Sequence, residues 1–195
     1  MLKDDPILTR RRLLRQRALA AREALGLEHR IRLEQRVAHH VGELLMRLTP
    51  RTIAFCWPYR AEPDLRETVA AWLAGDEARR AALPVVVERA APLLFRRWQP
   101  GAPLEADRHG ILQPTAACEE LHPELVLVPL NAFDAQGYRL GYGGGYFDRT
   151  LALRSVTAVG VGFESGRVDH ALPQAHDRPM NWLVTEAGVF ECLQA

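Results

Sequence analysis

The sequence predicts an α/β protein, a single three-layer α/β/α domain over 1–195 with a mainly parallel sheet preceded by two N-terminal helices. Three observations predict it. From residue 52 onward, short aliphatic and β-branched runs alternate with helical periods, the pattern of parallel strands joined by crossover helices that cover both faces. Ahead of the first such run lie two amphipathic stretches with no strand signal. The length of 195 residues, 48% hydrophobic and 25% charged, suits one domain with a sizeable core, and no repeat, low-complexity tract or linker marks a boundary.

The first helix is expected over Thr9 to Leu25, where Leu13, Leu14, Ala18 and Leu25 recur near a helical period and Gly26 stands where a C′ glycine would end it. The second spans about Glu28 to Leu48, with Ile31, Val37, Val41, Leu44, Leu45 and Leu48 on one stripe and Pro50 to stop it. TIAFCW (52–57) reads as a strand and DLRETVAAWLA (64–74) as a helix. LPVVV (83–87) and PLLFRRW (92–98) have no helix between them and read as a hairpin. LVLVPL (125–130) reads as a strand, GGYFDRTLAL (144–153) as a helix, TAVGVGF (157–163) as a strand and WLVTE (182–186) as a last short strand.

Composition excludes several functions. Lys plus Arg is 25 and Asp plus Glu is 24, a net charge of +1, which gives no nucleic-acid footprint; any basic site is local. Lys3 is the only lysine, so neither Schiff-base chemistry nor a GK[ST] phosphate loop is available, and arginine must do the cationic work. Cys56, Cys118 and Cys192 form no CxxC pair and read as reduced, structural and cytoplasmic. The N-terminus carries no apolar signal core, and nowhere do about 18 apolar residues run together, so neither export nor a membrane span is expected.

One stretch departs from ordinary loop composition. RLGYGGGYFD (139–148) holds Gly141, Gly143, Gly144 and Gly145 between Arg139 and Asp148, with Tyr142 and Tyr146 interleaved. It follows a strand and opens a helix, where glycine lets backbone approach an anion and helix N–H groups point at it. It matches neither G-x-G-x-x-G nor Walker A, and an ordinary glycine-rich turn is the plain alternative. Asp148, one turn into the helix, is either a dipole partner or a magnesium ligand, and Asp177 in LPQAHDRP either joins it from the next strand end or makes a local turn. His170 and His176 have no third ligand at a metal spacing. Arg11 and Arg15 are an i, i+4 pair, solvated unless the helix packs over the strand ends, where their forked donors suit phosphate. Trp57, Tyr59, Glu62 and Asp64 follow the first strand, aromatic surface beside carboxylates that would suit the amidine-like edge of a pterin; a buried Trp with solvated acids is the alternative.

Together these stretches resemble the 5-formyltetrahydrofolate cyclo-ligase family, also called methenyltetrahydrofolate synthetases, over nearly the whole chain. The resemblance runs through Arg11–Arg15, Glu62–Leu65, Gly110–Pro114, the long motif Pro129–Leu151, and His176 with Asp177. It implies a three-layer α/β/α fold. It further implies that Arg11, Arg15, Arg139 and the segment Leu140, Gly141, Tyr142, Gly143, Gly144, Gly145, Tyr146 and Phe147 hold ATP. Trp57, Tyr59, Glu62, Asp64 and the segment from Tyr142 to Tyr146 would line the folate, Asp148 and Asp177 would hold Mg2+, and Arg139 and Tyr146 stand as the catalytic candidates. The reaction implied is ATP-dependent cyclisation of 5-formyltetrahydrofolate to 5,10-methenyltetrahydrofolate, in the cytoplasm, by a monomer or small homo-oligomer. This chain departs from the family pattern with Arg11 in place of lysine, Pro63 and Leu65 in the segment after Glu62, and a late loop one residue short. The rival classes are a sugar-phosphate isomerase or acyl-carrier (CoA) transferase on a similar fold, and a non-catalytic folate- or RNA-binding module using the Arg11 to Arg36 helices.

Overall fold

The computed structural model describes residues 5–192, so Lys3 lies outside the described residues. Helix α1 (Pro6–Glu23) opens with Asp5 accepting the Ile7 amide at 2.9 Å and with proline in the first turn, a start in which the missing proline N–H costs nothing. Gly26 does not end α1 in a left-handed turn as expected. It is extended at φ −60° and caps the next helix, α2 (Leu27–Leu48), while α1 has already closed at Ala24. Thr49 in the left-handed region and Pro50 end α2.

The remaining elements follow as β1 (Thr52–Ala54), α3 (Arg66–Ala74), β2 (Arg80–Val85), β3 (Leu94–Trp98), β4 (Leu104–Ala106), β5 (Leu112–Pro114), β6 (Leu125–Pro129), β7 (Ala132–Phe133), β8 (Arg139–Leu140), α4 (Tyr146–Leu153), β9 (Thr157–Val161), a 3-10 turn Glu164–Gly166, β10 (Trp182–Thr185) and β11 (Gly188–Glu191). Seven strands form one sheet in the order β11-β10-β9-β6-β1-β2-β3. Its five central strands are parallel, and each edge strand, β11 and β3, is antiparallel to its neighbour. The expected hairpin is therefore present, but it pairs Ala81–Val85 with Leu94–Trp98. The apolar Val86 and Val87 fall beyond it, because register with β1 and β3 rather than hydrophobicity sets where β2 ends.

Period-2 alternation divides the sheet's side chains between two cores. Ile53, Phe55, Leu125, Leu127, Val159 and Val161 face α2 and α3. Ala54, Val126, Val128, Ala158 and Leu183 face the side packed by Tyr146, Phe147 and Leu151 of α4. Both faces are covered, as a parallel sheet requires, and the result is the three-layer α/β/α architecture. The β4–β5 and β7–β8 hairpins and the edge strand β11 were not expected. The first two are three and two residues per strand, too short to show alternation. Among the described residues no helix is long and apolar enough to cross a membrane.

Candidate active site

From β1 the chain crosses through α3 to β2 on one side of the sheet; from β6 it crosses through α4 to β9 on the other. The carboxyl ends of β1 and β6 thus diverge into a crevice, the place where open α/β sheets bind ligands. Residues 55–65 leave β1 there, and residues 130–145 leave β6. Helix α1 packs against β7, β8 and the 3-10 turn, so it lies back over the strand ends and its arginine face is turned inward: Arg11, Ala18, Leu19 and Arg22 are buried.

On one side of the crevice stands a buried polar cluster. The Tyr142 hydroxyl donates to Glu62 Oε1 at 2.7 Å and accepts from Arg22 Nη2 at 2.7 Å, while the Tyr59 amide donates to Glu62 Oε2 at 3.0 Å. Burial raises the Glu62 pKa; the Arg22 charge and the hydrogen bonds from Tyr142 and Tyr59 oppose the rise without cancelling it. Burial, and then the Glu62 charge, push the Tyr142 hydroxyl above its ordinary range. The Tyr59 ring meets the Tyr142 ring edge-on at 5.6 Å. Asp64 is turned elsewhere, to a forked pair with Arg66 at 2.5 to 3.0 Å, and Arg66 lies 4.6 Å over the Trp57 ring. Burial would raise the Asp64 pKa, but the hydrogen bonds and charge of Arg66 outweigh it and leave it lowered.

On the other side lie the glycine loop and two ion pairs. Gly143 and Gly145 take φ +94° and +64°, a backbone that favours glycine, and Gly145 leaves the N-terminus of α4 without a side-chain cap. The Arg15 guanidinium packs on Gly143, 3.7 Å from where a Cβ would stand, and its buried Nε has no partner among the described residues. Burial, and then the Arg11 charge, lower the Arg15 pKa. Arg149 closes the loop from α4, donating to the Gly144 carbonyl and stacking 5.3 Å over the Tyr146 ring. The Tyr146 hydroxyl accepts from Arg108 at 3.1 Å, and its ring packs so closely on Gly144 that a Cβ would come within 2.7 Å.

The two candidate magnesium carboxylates each hold an arginine. Arg11 Nη1 and Nη2 donate to Asp177 at 2.5 and 3.2 Å, and Nη1 also donates to the Leu172 carbonyl at 2.7 Å. Burial alone would raise the Asp177 pKa, but the Arg11 and Gln174 hydrogen bonds and the Arg11 charge outweigh it and leave it lowered. Buried Arg139 donates to Asp148 Oδ1 at 3.0 Å and to the Arg178 carbonyl at 3.1 Å, and the Arg178 amide donates to the same Oδ1 at 3.1 Å. Asp148 and Asp177 therefore meet the same late loop, one through the Arg178 backbone and one as its neighbour in sequence. Among the described residues no group of three His, Cys, Asp or Glu side chains can hold a metal ion by itself.

An anion fits this loop: the end of the Arg15 guanidinium, glycine backbone free of Cβ atoms and a helix N-terminus without a side-chain cap meet there. Mg2+ fits only as a shared ion. It keeps waters and substrate oxygens and takes one or two protein carboxylates, which Asp148 and Asp177 would supply only if Arg139 and Arg11 released them.

Sequence reasoning missed Arg22, Arg108 and Arg149. Arg22 had a readable signal, since it lies seven residues beyond Arg15 and eleven beyond Arg11 and so shares their helical face. Arg108 sits on the turn of the unexpected β4–β5 hairpin and had none.

A sequence model described as the 5-formyltetrahydrofolate cyclo-ligase family matches residues 8–186. The chain is 30% identical over 152 residues to the 5-formyltetrahydrofolate cyclo-ligase of Haemophilus influenzae, covering 73% of this chain and 79% of that one. It is 29% identical over 188 residues to the Escherichia coli protein of the same name, covering 92% and 100%. Its fold matches that of the Aquifex aeolicus 5,10-methenyltetrahydrofolate synthetase with a TM-score of 0.81 at 28% identity, over 95% of this chain and 94% of that one. The Mycoplasma pneumoniae synthetase shares the fold with a TM-score of 0.72 at 22% identity, over 90% and 98%.

Proposed function

We propose, on the footing that the chain belongs to the 5-formyltetrahydrofolate cyclo-ligase family, that it closes 5-formyltetrahydrofolate to 5,10-methenyltetrahydrofolate with Mg2+ and ATP, releasing ADP and phosphate. One observation carries the reading: the glycine loop touches both halves of the crevice. Tyr142 enters the Glu62 cluster, and Gly143, one residue on, lies against the guanidinium of Arg15, whose Nε has no partner among the described residues. A group transferred from nucleotide to folate would have to pass between such halves.

A formamide oxygen is a poor leaving group, and ATP with Mg2+ supplies the phosphoryl group that makes it a good one; N10 then closes on the carbon as phosphate departs. The chain's part is positioning and charge neutralisation. Arg15, the loop amides from Leu140 to Phe147, and Arg11 and Arg139 as they exchange carboxylate for phosphate would hold the nucleotide. Asp148 and Asp177 would hold the ion. Glu62 would accept from the pterin's amidine-like edge, with Tyr59, Tyr142 and Trp57 as flat walls and Asp64 acting through Arg66. Arg139 and Tyr146 would stand nearest the transferred group. Cys56, Cys118 and Cys192 are free thiols, which suits a reducing cytoplasm. The test is purified protein with Mg-ATP and 5-formyltetrahydrofolate, followed by methenyl absorbance. Turnover that needs all three components is expected, and none would return the chain to a folate-binding or phosphomonoester reading.

A further inference from the structure

We infer that Arg22 is a positioning residue for the folate side of the site, tying together the three segments that shape it and holding Glu62 and Tyr142 in register. This rests on the function proposed above and adds a residue to it. Arg22 is buried, 3% exposed, and each of its three nitrogens is committed to a different segment. Nε donates to the Arg60 carbonyl at 3.0 Å in the stretch after β1. Nη1 donates to the Leu130 carbonyl at 3.2 Å at the end of β6, and Nη2 donates to the Tyr142 hydroxyl in the glycine loop. The Glu62 carboxylate stands 3.9 Å from Nη2. A planar fork with fixed donor directions can serve three acceptors at once; a lysine in its place cannot.

The backbone that Arg22 grips is strained. Arg60 and Ala61 are consecutive non-glycine residues in the left-handed region, at φ 48° and 59°. Such a turn persists only where its surroundings hold it. Two neighbouring residues of α1 do so: Arg22 takes the Arg60 carbonyl, and Glu23 takes the Arg60 guanidinium at 2.7 and 3.0 Å. The next residue after the strained pair is Glu62. The turn thus sets where the Glu62 carboxylate stands, and Arg22 sets the turn.

The groups facing Glu62 are Arg22 from α1, Tyr142 from the glycine loop, the Tyr59 amide, and Cys56 from the end of β1. Of these, the Arg22 charge, the Tyr142 hydrogen bond and the Tyr59 amide lower its pKa, in that order of size. Removing Arg22 or the Tyr142 hydroxyl moves the carboxylate's protonation to higher pH, a change that a residue serving only to stabilise the fold would not produce.

The experiment is calorimetric binding of 5-formyltetrahydrofolate, without nucleotide, and of MgATP, without folate, to wild type, Arg22→Gln and Tyr142→Phe. Because truncating a buried arginine threatens folding, Tyr142→Phe, at a half-exposed position and lacking only the hydroxyl, supplies the independent arm. Folate affinity is expected to fall about tenfold or more in Arg22→Gln and about threefold in Tyr142→Phe, the scale of charged and neutral hydrogen bonds. MgATP affinity should stay within about twofold in Arg22→Gln. The acid limb of folate binding should move to higher pH in the order wild type, Tyr142→Phe, Arg22→Gln. Unchanged folate affinity and acid limb in Tyr142→Phe overturn the inference, as does equal loss of both ligands in a folded Arg22→Gln. A wild type that binds MgATP but no folate overturns the functional reading first, and the inference with it.

Discussion

Glu62 on one side of the crevice and Asp148 with Asp177 on the other are satisfied in opposite ways. On the glycine-loop side Asp177 and Asp148 are met by arginines, and the Asp177 pKa is held low by Arg11 despite burial. On the other side Glu62 is met by a tyrosine hydroxyl and a backbone amide, with its arginine 3.9 Å away, and its pKa is raised. Ion pairs of the first kind can be exchanged. On the proposed function, an arriving anion would draw the arginine and leave the carboxylate free for a cation. A carboxylate of the second kind, hydrogen-bonded and 3.9 Å from an arginine whose nitrogens donate elsewhere, offers its remaining lone pairs to a donor without exchanging a partner. On the function proposed above, the contrast would separate a nucleotide half from a folate half.

The largest effect that can break this comparison is loss of an exchangeable pair. Arg11 and Asp177 are 11% and 6% exposed at the side chain, and removing one partner of so buried a pair costs about 3–5 kcal/mol. Arg11→Ala should lower the melting temperature at pH 7 by that measure. The Asp177 pKa is lowered in the fold, so its contribution is present above the ordinary carboxylate pKa and is lost as pH falls through the folded value. The gap between wild type and Arg11→Ala should therefore close below about pH 4. A gap constant from pH 7 to 3 would show that Arg11 stabilises by packing alone.

Next in size, Asp148→Asn should reduce kcat about a hundredfold, with partial recovery at raised Mg2+; wild-type turnover would remove Asp148 from the metal role. Gly144→Ala should cost about tenfold to a hundredfold in rate, the penalty of a displacement near 1 Å. Its methyl would meet the Tyr146 ring at 2.7 Å, so the ring must shift, disturbing its contacts with Arg149 and Arg108. Melting temperature and kcat measured together decide the case. Lost turnover at an unchanged midpoint marks the loop as a cradle, and full turnover marks it as a plain turn.

Much of this was legible in sequence. Alternation of strand and helix, with two helices in front, gave the three-layer architecture because both sheet faces must be covered. The i, i+4 spacing of Arg11 and Arg15 marked a face of α1 that would be solvated unless the helix folded back, and the fold buries Arg11 and Arg22 on it. What could not be read were pairings that only tertiary structure makes. Arg11 and Asp177 are 166 residues apart, and nothing local announces that two residues assigned to different ligands hold each other. The Asp64 pairing escaped the sequence for the opposite reason: its partner Arg66 lies only two residues on, inside the same short segment. The left-handed pair Arg60–Ala61 was invisible because neither residue is of a type that favours that region.

Within the folate half, Glu62→Gln sharpens the comparison. It keeps shape and one acceptor but removes the charge, so the KM for 5-formyltetrahydrofolate should rise about tenfold while that for ATP holds, a loss near 1.4 kcal/mol typical of a charge-assisted hydrogen bond. An equal rise in both would erase the division into halves.

The smallest expected effect tests the same division two residues further on. Asp64 and Glu62 were both expected to meet the folate, but Asp64 and Arg66 are 34% and 41% exposed at the side chain, and such a solvent-screened pair contributes only about 0–1 kcal/mol. Its visible consequence is to hold Arg66 over Trp57, a cation over an aromatic face. Asp64→Asn should loosen that stack, shift the melting temperature by no more than about 4 °C, and raise the folate KM by less than about threefold, since the ring remains and only its cover is freed. Trp57 fluorescence should report the loosened stack directly. If the folate KM instead rises as far as in Glu62→Gln, Asp64 leaves Arg66 for the substrate, and the folate half then trades an ion pair just as the nucleotide half does.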